Sequence, residues 1–222
     1  MATCSIIIPT YNRKKFEKLI EYNIKSQTYS NILEVIIADD GDEDQKLEIN
    51  IPYPIQYIRC QRMSIGSKRN LLCSKAKGEF IAHFDTDDIY FPGFIEYSIN
   101  LMINQNKNAT GTSDMIFLYK DGQTGTMRNA LLSMANEATL VYRKSFWEQK
   151  NFSTQQSNEG IHFLEGRHWE IGHSNINKVM ICLCHDENTV DKNVWRNQPR
   201  IALPNYEEYY PLLKLMGFKV GE

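Results

Sequence analysis

The first half of the chain alternates short apolar runs with segments of helical periodicity. Four runs of this kind occur, at Ser5–Ile8, Val35–Ala38, Ile55–Ile58 and Glu79–Phe84. Apolar runs of this length without alternation are typical of strands buried on both faces of a parallel sheet. Apolar residues at helical spacing predict helices at about 14–26 and 65–76. This order predicts a mostly parallel α/β sheet flanked by helices, with Pro9 expected to end the first strand.

The second half follows a less regular pattern. A helix is predicted from about Pro92, with Ile95, Ile99 and Met102 buried, and it ends in the polar stretch 104–108. Further predictions are strands at 113–119, 139–143 and 178–184, a helix from about Lys144, and an amphipathic helix over 206–216 that contains Pro211 and stops at Gly217. No repeat or low-complexity linker interrupts the chain, so we expect a single domain over 1–222.

Length and charge narrow the functional classes. The chain has 222 residues, enough for one sizeable α/β domain, and its net charge of −2 argues against nucleic acid as the main partner. No apolar stretch reaches membrane-spanning length, and no signal-peptide pattern opens the chain. Five cysteines, mostly among apolar neighbours, indicate reduced thiols and a cytoplasmic location. The segment 182–185 has no second Cys/His cluster, so structural zinc is not expected.

An acidic cluster follows the fourth apolar run directly. Asp85, Asp87 and Asp88 lie within four residues, and Asp85 and Asp87 project to the same side of an extended backbone. Carboxylates this close repel one another unless a hard cation such as Mg²⁺ or Mn²⁺ lies between them, and such ions keep open positions for phosphate oxygens. The alternative is an acidic surface turn.

Three of the four predicted strands end in polar loops. These loops are Pro9–Arg13, Asp39–Asp42 and Asp85–Asp88. Ligands of open parallel sheets bind beyond the carboxyl ends of the strands, where such loops meet. Tyr11 can stack on a base, Asp40 can accept a hydrogen bond from a ring N–H, and the acidic cluster can hold a metal on a diphosphate. Ordinary strand-end turns and an Asx turn are the structural alternatives.

The segments that carry these residues resemble the family 2 inverting glycosyltransferases of GT-A fold. Order and spacing agree over residues 3–105, in the segments Ser5–Arg13, Ser26–Tyr29, Glu34–Gly41, Gly66–Asn70, Ala76–Glu79 and Phe84–Asp88. A looser similarity continues through Tyr142–Trp147, Asn158–Phe163 and His185 with Asn188–Thr189. The resemblance implies a single GT-A domain, with a nucleotide-binding half at 1–105 and an acceptor-side half and C-terminal tail at 106–222.

The resemblance also implies roles for individual residues. The expected donor is a nucleoside-diphosphate sugar that is UDP-linked, with Mn²⁺ or Mg²⁺ as cofactor. Asp40 would read a uracil imide, and Asp88 would be structural. The implied nucleotide-binding residues are Pro9, Thr10, Tyr11, Arg13, Asp40, Lys68, Arg69, Asp85 and Thr86, and the implied metal ligands are Asp85, Asp87 and His185. A hydrogen-bonded histidine at a strand end is the alternative for His185.

The expected catalytic base departs from the family pattern. Family members have Glu-Asp before a helical segment, with the aspartate as base, whereas this chain has Glu159-Gly160. Glu159 is the candidate general base and Glu165 a distant second. The leading hypothesis is a metal-dependent inverting glycosyltransferase that acts on an acceptor hydroxyl. A degenerate sugar-nucleotide binder or slow UDP-sugar hydrolase is the alternative.

A nucleotidyltransferase is disfavoured because Pro9–Arg13 lacks a glycine-rich phosphate loop. The sequence does not identify the sugar, and it does not say whether the acceptor is a glycan, a lipid or a protein.

Overall fold

The computed structural model describes residues 2–129, 134–156, 158–188, 191–198 and 201–221. The strands are β1 (Cys4–Thr10), β2 (Ile32–Asp39), β3 (Ile55–Arg59), β4 (Phe80–His83), β5 (Ile89–Tyr90), β6 (Ala109–Gly111), β7 (Met115–Tyr119), β8 (Thr124–Met127), β9 (Val141–Arg143), β10 (Ile171–His173) and β11 (Met180–Cys184). The α-helices are α1 (Glu17–Lys25), α2 (Ile65–Lys75), α3 (Phe94–Gln105), α4 (Lys144–Gln149), α5 (Glu159–Leu164) and α6 (Tyr210–Leu215).

The central sheet has seven strands in the order β10-β6-β9-β4-β1-β2-β3. Its strands are parallel to their neighbours except β9, which runs antiparallel to both β4 and β6. A smaller sheet has the order β5-β11-β7-β8. The prediction of a mostly parallel α/β sheet is therefore confirmed. None of the helices in the described ranges is both long and apolar enough to cross a membrane.

The continuous apolar runs are explained by burial on both faces of the central sheet. Ile6 and Ile8 of β1 belong to one core cluster, with α1 and α3 residues, while Ile7 belongs to a second cluster with residues of α2. Successive side chains of a strand point to opposite faces, so both faces of β1 must be apolar. Ile95, Ile99 and Met102 of α3 are buried as expected.

The first strand does not end at Pro9. It continues to Thr10, and Pro9 pairs with Ala38 of β2. The Phe84 N–H donates to the Ile7 carbonyl at 3.0 Å, so the backbone groups of Ile7 face β4. Backbone groups two residues apart in a strand face the same neighbour, so those of Pro9 also face β4, which has already ended at His83. The missing N–H of Pro9 therefore removes no ladder hydrogen bond, and the strand tolerates it.

Several short elements were not predicted. The strands β5, β6, β8 and β10 each contain two to four residues. Helix α3 begins at Phe94, two residues after Pro92. The remaining predicted elements are present, with α6 starting near Pro211 and Gly217 adopting φ +82° at its end.

Two features of the topology gather side chains at one edge of the central sheet. The parallel strands β1, β2 and β4 place their carboxyl ends there. Because β9 is antiparallel to β4, the turn that precedes β9 reaches the same edge, and the His83 N–H donates to the Leu140 carbonyl at 3.1 Å. The first turn of α2 closes the edge, where Gly66 packs so tightly that a Cβ would lie 1.8 Å from the Ser153 carbonyl oxygen.

Candidate active site

A cavity of about 400 Å³ opens at this edge of the central sheet. The loops after β1 and β4, the start of α2, the turn before β9 and the start of α5 form its walls, with side chains of the small sheet opposite. Of the predicted site residues, those that line it are Pro9, Thr10, Tyr11, Arg13, Lys68, Arg69, Asp85, Thr86, Asp87 and Glu159. The chain thus brings together side chains from distant parts of the sequence, as a ligand site requires.

The Tyr11 side chain lines the cavity and is 40% exposed. The guanidinium of Arg62 lies 3.5 Å from the ring centroid, which is a cation–π contact. Arg62 also donates to Asp40 at 3.2 Å. One face of the Tyr11 ring is therefore covered by Arg62, whose own side chain is 54% exposed.

Asp40 contacts Arg62 but is not among the residues that line the cavity. Its carboxylate is fully buried, forms a close ion pair with Lys68, and accepts the Met63 N–H at 3.0 Å. Burial acts to raise the pKa of Asp40, but the hydrogen bond and charge of Lys68 outweigh burial and lower it. Lys68 also donates to the Thr10 carbonyl at 2.8 Å. The contact of Asp40 with a uracil ring stays a prediction. It requires that Lys68 and Arg62 move away from the Asp40 carboxylate or leave one of its oxygens free for the base.

Asp87 is held by residues from two other elements. Its carboxylate lies 3.0 Å from Nε2 of His185 and 3.4 Å from Nε of Arg13. Burial acts to raise the pKa of Asp87, but the hydrogen bond from His185 and the charge of Arg13 hold that pKa below its usual value. His185 is 1% exposed at its side chain and lies behind Asp87. Asn188 accepts the His185 N–H at 2.7 Å, while Thr189 lies outside the described residues.

The other two aspartates of the cluster have different surroundings. The Asp85 carboxylate lies 3.3 Å from Arg69, and burial raises the pKa of Asp85 despite that cation. Asp88 accepts the Leu183 N–H of β11 at 3.0 Å. Burial and the charge of Asp87 raise the pKa of Asp88 to about 7. Asp88 therefore ties the acidic loop to the small sheet, and it also lines the cavity.

Arg69 is the central charge of the cavity floor. It is 4% exposed and contacts Glu159 at 3.0 Å, Asp85 at 3.3 Å and Nδ1 of His83 at 3.0 Å. Since Nδ1 accepts from Arg69, His83 donates from Nε2 to the Tyr142 hydroxyl at 2.7 Å. Burial and the neighbouring Arg69 depress the pKa of His83 well below its usual value, so the imidazole is neutral.

The fit of a divalent cation rests on Asp87 and His185. In the described part of the chain, no group of three or more His, Cys, Asp or Glu side chains is arranged to hold a metal. Asp87 and His185 nevertheless offer an oxygen and a nitrogen 3.0 Å apart, a spacing suited to neighbouring ligands of one ion. The His185 Nδ1 faces the Glu187 N–H at 3.3 Å, so Nε2 carries the proton, which a metal at that nitrogen would displace. Asp85 is not part of this pair.

Three charged residues that line the cavity were not predicted from the sequence. They are Arg62, Glu137 and Lys192. Lys192 donates to the Cys182 sulfur at 2.8 Å, and Cys182 and Asp88 raise its pKa against the effect of burial. Glu137 has no sequence signal of its own, because it precedes a three-residue strand whose antiparallel direction the sequence does not specify. Glu165, the second candidate base, pairs with Lys150 at 3.7 Å and is not among the residues that line the cavity.

The fold is similar to that of the solved structures of TarS from S. aureus. TarS of S. aureus, residues 1–349 in complex with UDP-GlcNAc, superimposes with a TM-score of 0.62 at 17% identity, over 84% of this chain and 60% of that one. The same protein in complex with UDP gives a TM-score of 0.61 at 17% identity, over 82% and 60% of the two chains. The predicted GT-A fold is thereby confirmed.

Sequence comparison identifies the family. The model of glycosyl transferase family 2 matches residues 5–164, and the chain belongs to this family. An uncharacterized glycosyltransferase of Rickettsia typhi is 35% identical over 100 residues, 44% of this chain and 31% of that protein. The glycosyltransferase GlyG of Streptococcus pneumoniae is 36% identical over 98 residues, 41% of this chain and 32% of that protein. The chain thus spans about a third of the length of these curated relatives.

Proposed function

We propose that this chain is a metal-dependent inverting glycosyltransferase that transfers a sugar from a nucleoside-diphosphate sugar to an acceptor hydroxyl. The observation that carries the proposal is the convergence of three kinds of group in one cavity. Tyr11 offers a ring face for a base, Arg13, Lys192 and Asp87 offer charges for a diphosphate and its metal, and Glu137 and Glu159 offer carboxylates. Membership of family 2 supports the same activity.

The chemistry requires one in-line displacement at the anomeric carbon of the donor. A carboxylate accepts the proton of the acceptor hydroxyl as the new glycosidic bond forms, and the nucleoside diphosphate leaves with the bonding electrons. The cationic side chains of Arg13 and Lys192 would stabilise the negative charge that develops on the diphosphate. Binding both substrates in one cavity holds the reacting atoms in line, and such orientation can contribute about 7–11 kcal/mol to the barrier reduction.

A divalent cation, Mn²⁺ or Mg²⁺, would bind Asp87 and His185. When bound, it would supply Lewis-acid stabilisation of the departing diphosphate. The remaining coordination positions suit phosphate oxygens and water, since Mg²⁺ sites commonly use one or two carboxylates together with substrate phosphates. Asp85, which the resemblance also assigned to the metal, is bound to Arg69 and fits better as a contact to the nucleotide or the transferred sugar.

A UDP-linked donor is the best-supported choice. TarS, which shares the fold, has been solved with UDP and with UDP-GlcNAc. We therefore propose UDP as the nucleotide, with Tyr11 stacking on the uracil. The sugar and the acceptor stay open, and the cytoplasmic location indicated by the cysteines stays a prediction.

The test is a donor screen with the purified chain. UDP-, GDP- and dTDP-sugars are compared by thermal shift with and without Mn²⁺, and release of the nucleoside diphosphate is then measured for each binder. We expect a UDP-sugar to raise the melting temperature only when Mn²⁺ is present, because a ligand that binds the native state stabilises it. Binding without any UDP release would indicate a degenerate binder, and release with water as the sole acceptor would indicate a hydrolase. Absence of binding to every donor would refute the proposal.

A further inference from the structure

The turn before β9 brings a carboxylate to the acid-lined edge of the cavity. Glu137 begins a 3-10 turn, Glu137–Thr139, and its side chain lines the cavity. The Tyr90 hydroxyl accepts the Asp85 N–H at 2.9 Å and donates to the Ala138 carbonyl at 3.1 Å. This phenol therefore fixes the turn relative to the acidic loop, and Glu137 has a defined position in the site.

The Glu137 side chain occupies the space next to Gly160. The Gly160 N–H donates to Oε1 of Glu137 at 2.8 Å. A Cβ built on Gly160 would lie 2.5 Å from that oxygen and 2.6 to 2.7 Å from Cγ and Cδ of Glu137. Gly160 does not have the positive φ that would demand glycine, so the lack of a side chain there serves to leave room for Glu137. Position 160 is where the family pattern places a carboxylate.

Glu137 and Glu159 differ in their partners. Glu159 is 4% exposed and its Oε1 accepts a charge-assisted hydrogen bond from Arg69 at 3.0 Å. Glu137 is only partly buried, and among the described residues no cation lies within salt-bridge distance of it. Burial and the nearby Glu159 raise the pKa of Glu137, while Arg69 acts in the opposite direction. Glu137 therefore combines access to the cavity with a higher affinity for a proton than a free carboxylate has.

We propose that Glu137 is the general base, and that its carboxylate reaches from the neighbouring turn into the place left empty by Gly160. This inference rests on the proposed glycosyl transfer. The Glu137 carboxylate takes the proton of the acceptor hydroxyl while the hydroxyl oxygen bonds to the anomeric carbon. The bond from that carbon to the diphosphate oxygen breaks, and the nucleoside diphosphate leaves with the electron pair. Glu159, bound to Arg69, is a positioning residue in this scheme.

The first test compares Glu137→Gln with Glu159→Gln in the full chain. UDP release from UDP-GlcNAc with Mn²⁺ is measured, together with UDP affinity by calorimetry. We expect Glu137→Gln to lower the turnover rate by about 10²- to 10⁴-fold, the range of general-base catalysis, with UDP affinity changed less than twofold. For Glu159→Gln we expect a smaller loss in turnover. Wild-type turnover in Glu137→Gln, in a preparation whose wild type is active, would overturn this inference alone. A wild type that releases no UDP from any donor would overturn the proposed function and this inference together.

The second test moves the carboxylate from position 137 to position 160. Its first readout is the melting temperature, which does not depend on enzymatic activity. Gly160→Asp alone should lower the melting temperature, because its Cβ would overlap Glu137. Glu137→Gly combined with Gly160→Asp should restore the melting temperature and regain at least tenfold in UDP release over Glu137→Gly alone. A double variant that melts as low as Gly160→Asp would show that the two side chains do not share one space. A stable double variant without regained turnover would show that a carboxylate at this place is not the base. Either result would overturn the inference.

Discussion

Two groups of carboxylates around the cavity differ in their partners, and we call them the donor end and the acceptor end after the proposed function. At the donor end, Asp40, Asp85 and Asp87 each lie against a cation contributed by another element. At the acceptor end, Glu137 accepts the Gly160 N–H, and among the described residues no cation lies within salt-bridge distance of it. The cations at the donor end suit a ligand that carries several negative charges, because a diphosphate can pair with Arg13 when Asp87 binds the proposed metal. The Glu137 carboxylate at the acceptor end has no such cation in the part of the chain that the structure describes.

The largest expected effect comes from the cation that joins the two ends. Arg69 contacts both Asp85 and Glu159, so Arg69→Met leaves the buried Glu159 and the partly buried Asp85 without their partner. We expect a loss of about 3–5 kcal/mol in the free energy of unfolding, measured by urea titration, since breaking a buried ion pair strands a charge. Adding Glu159→Gln should recover part of that loss.

The matched control is Arg143→Met, which breaks a pair with Glu79 whose side chains are 31% and 49% exposed. We expect a change within about 1 kcal/mol in this case. Equal losses in the two variants would show that the buried network contributes no more than a surface ion pair. The two ends of the cavity would then be stabilised independently of Arg69.

The second largest effect should be confined to the donor end. Asp87→Asn keeps the size of the side chain but removes the anionic ligand shared with His185. Because metal coordination of a leaving group contributes several kcal/mol, we expect at least about 100-fold slower UDP release and loss of the Mn²⁺-dependent gain in UDP affinity. Asp186→Asn, at a carboxylate that is 90% exposed and pairs with Lys120, is the control and should change neither. Unchanged metal dependence in Asp87→Asn would remove Asp87 from the metal site.

The donor end was largely predictable from the sequence, and the acceptor end was not. Strands β1, β2 and β4 are continuous apolar runs, and a parallel sheet places their ends together, so Tyr11 and Asp87 could be assigned to one site before the structure was known. Glu137 could not, because its position depends on β9, three residues that insert antiparallel between β4 and β6. Strands of this length show no periodicity, and their direction is decided by tertiary pairing.

The contacts between side chains of different elements could not be predicted from the sequence either. The sequence indicated Asp40 as a polar residue at a strand end, but the buried ion pair with Lys68 results from the packing of α2 against the sheet. Similarly, Arg62 lies in the loop before α2, outside any regular element, and only the fold brings it over Tyr11. Residue type and strand position were therefore predictable, whereas contacts between loops were not.

A smaller effect should distinguish binding of the uracil base from binding of the diphosphate at the donor end. Tyr11→Ala removes the ring on which we expect the uracil to stack, and such stacking contributes about 1–3 kcal/mol per base. UDP affinity measured by calorimetry should fall accordingly, while Tyr11→Phe should keep it. Pyrophosphate with Mn²⁺, which lacks a base, is the control ligand and should bind wild type and Tyr11→Ala equally. An equal fall for both ligands would mean that Tyr11 supports the diphosphate region and does not bind the base.

The smallest effect concerns the side chain that covers Tyr11. Arg62 lies 3.5 Å from the Tyr11 ring centroid and 3.2 Å from Asp40, so a base can stack on this face only if Arg62 leaves it. An exposed cation–π contact contributes about 0.5–1 kcal/mol, and Arg62→Met should therefore bind UDP about two- to fivefold more tightly than wild type. The gain should vanish in a Tyr11→Ala background, because the two residues then no longer compete for the same face. Weaker UDP binding by Arg62→Met would instead mean that Arg62 holds the base, and the donor end would then close over its ligand from both sides.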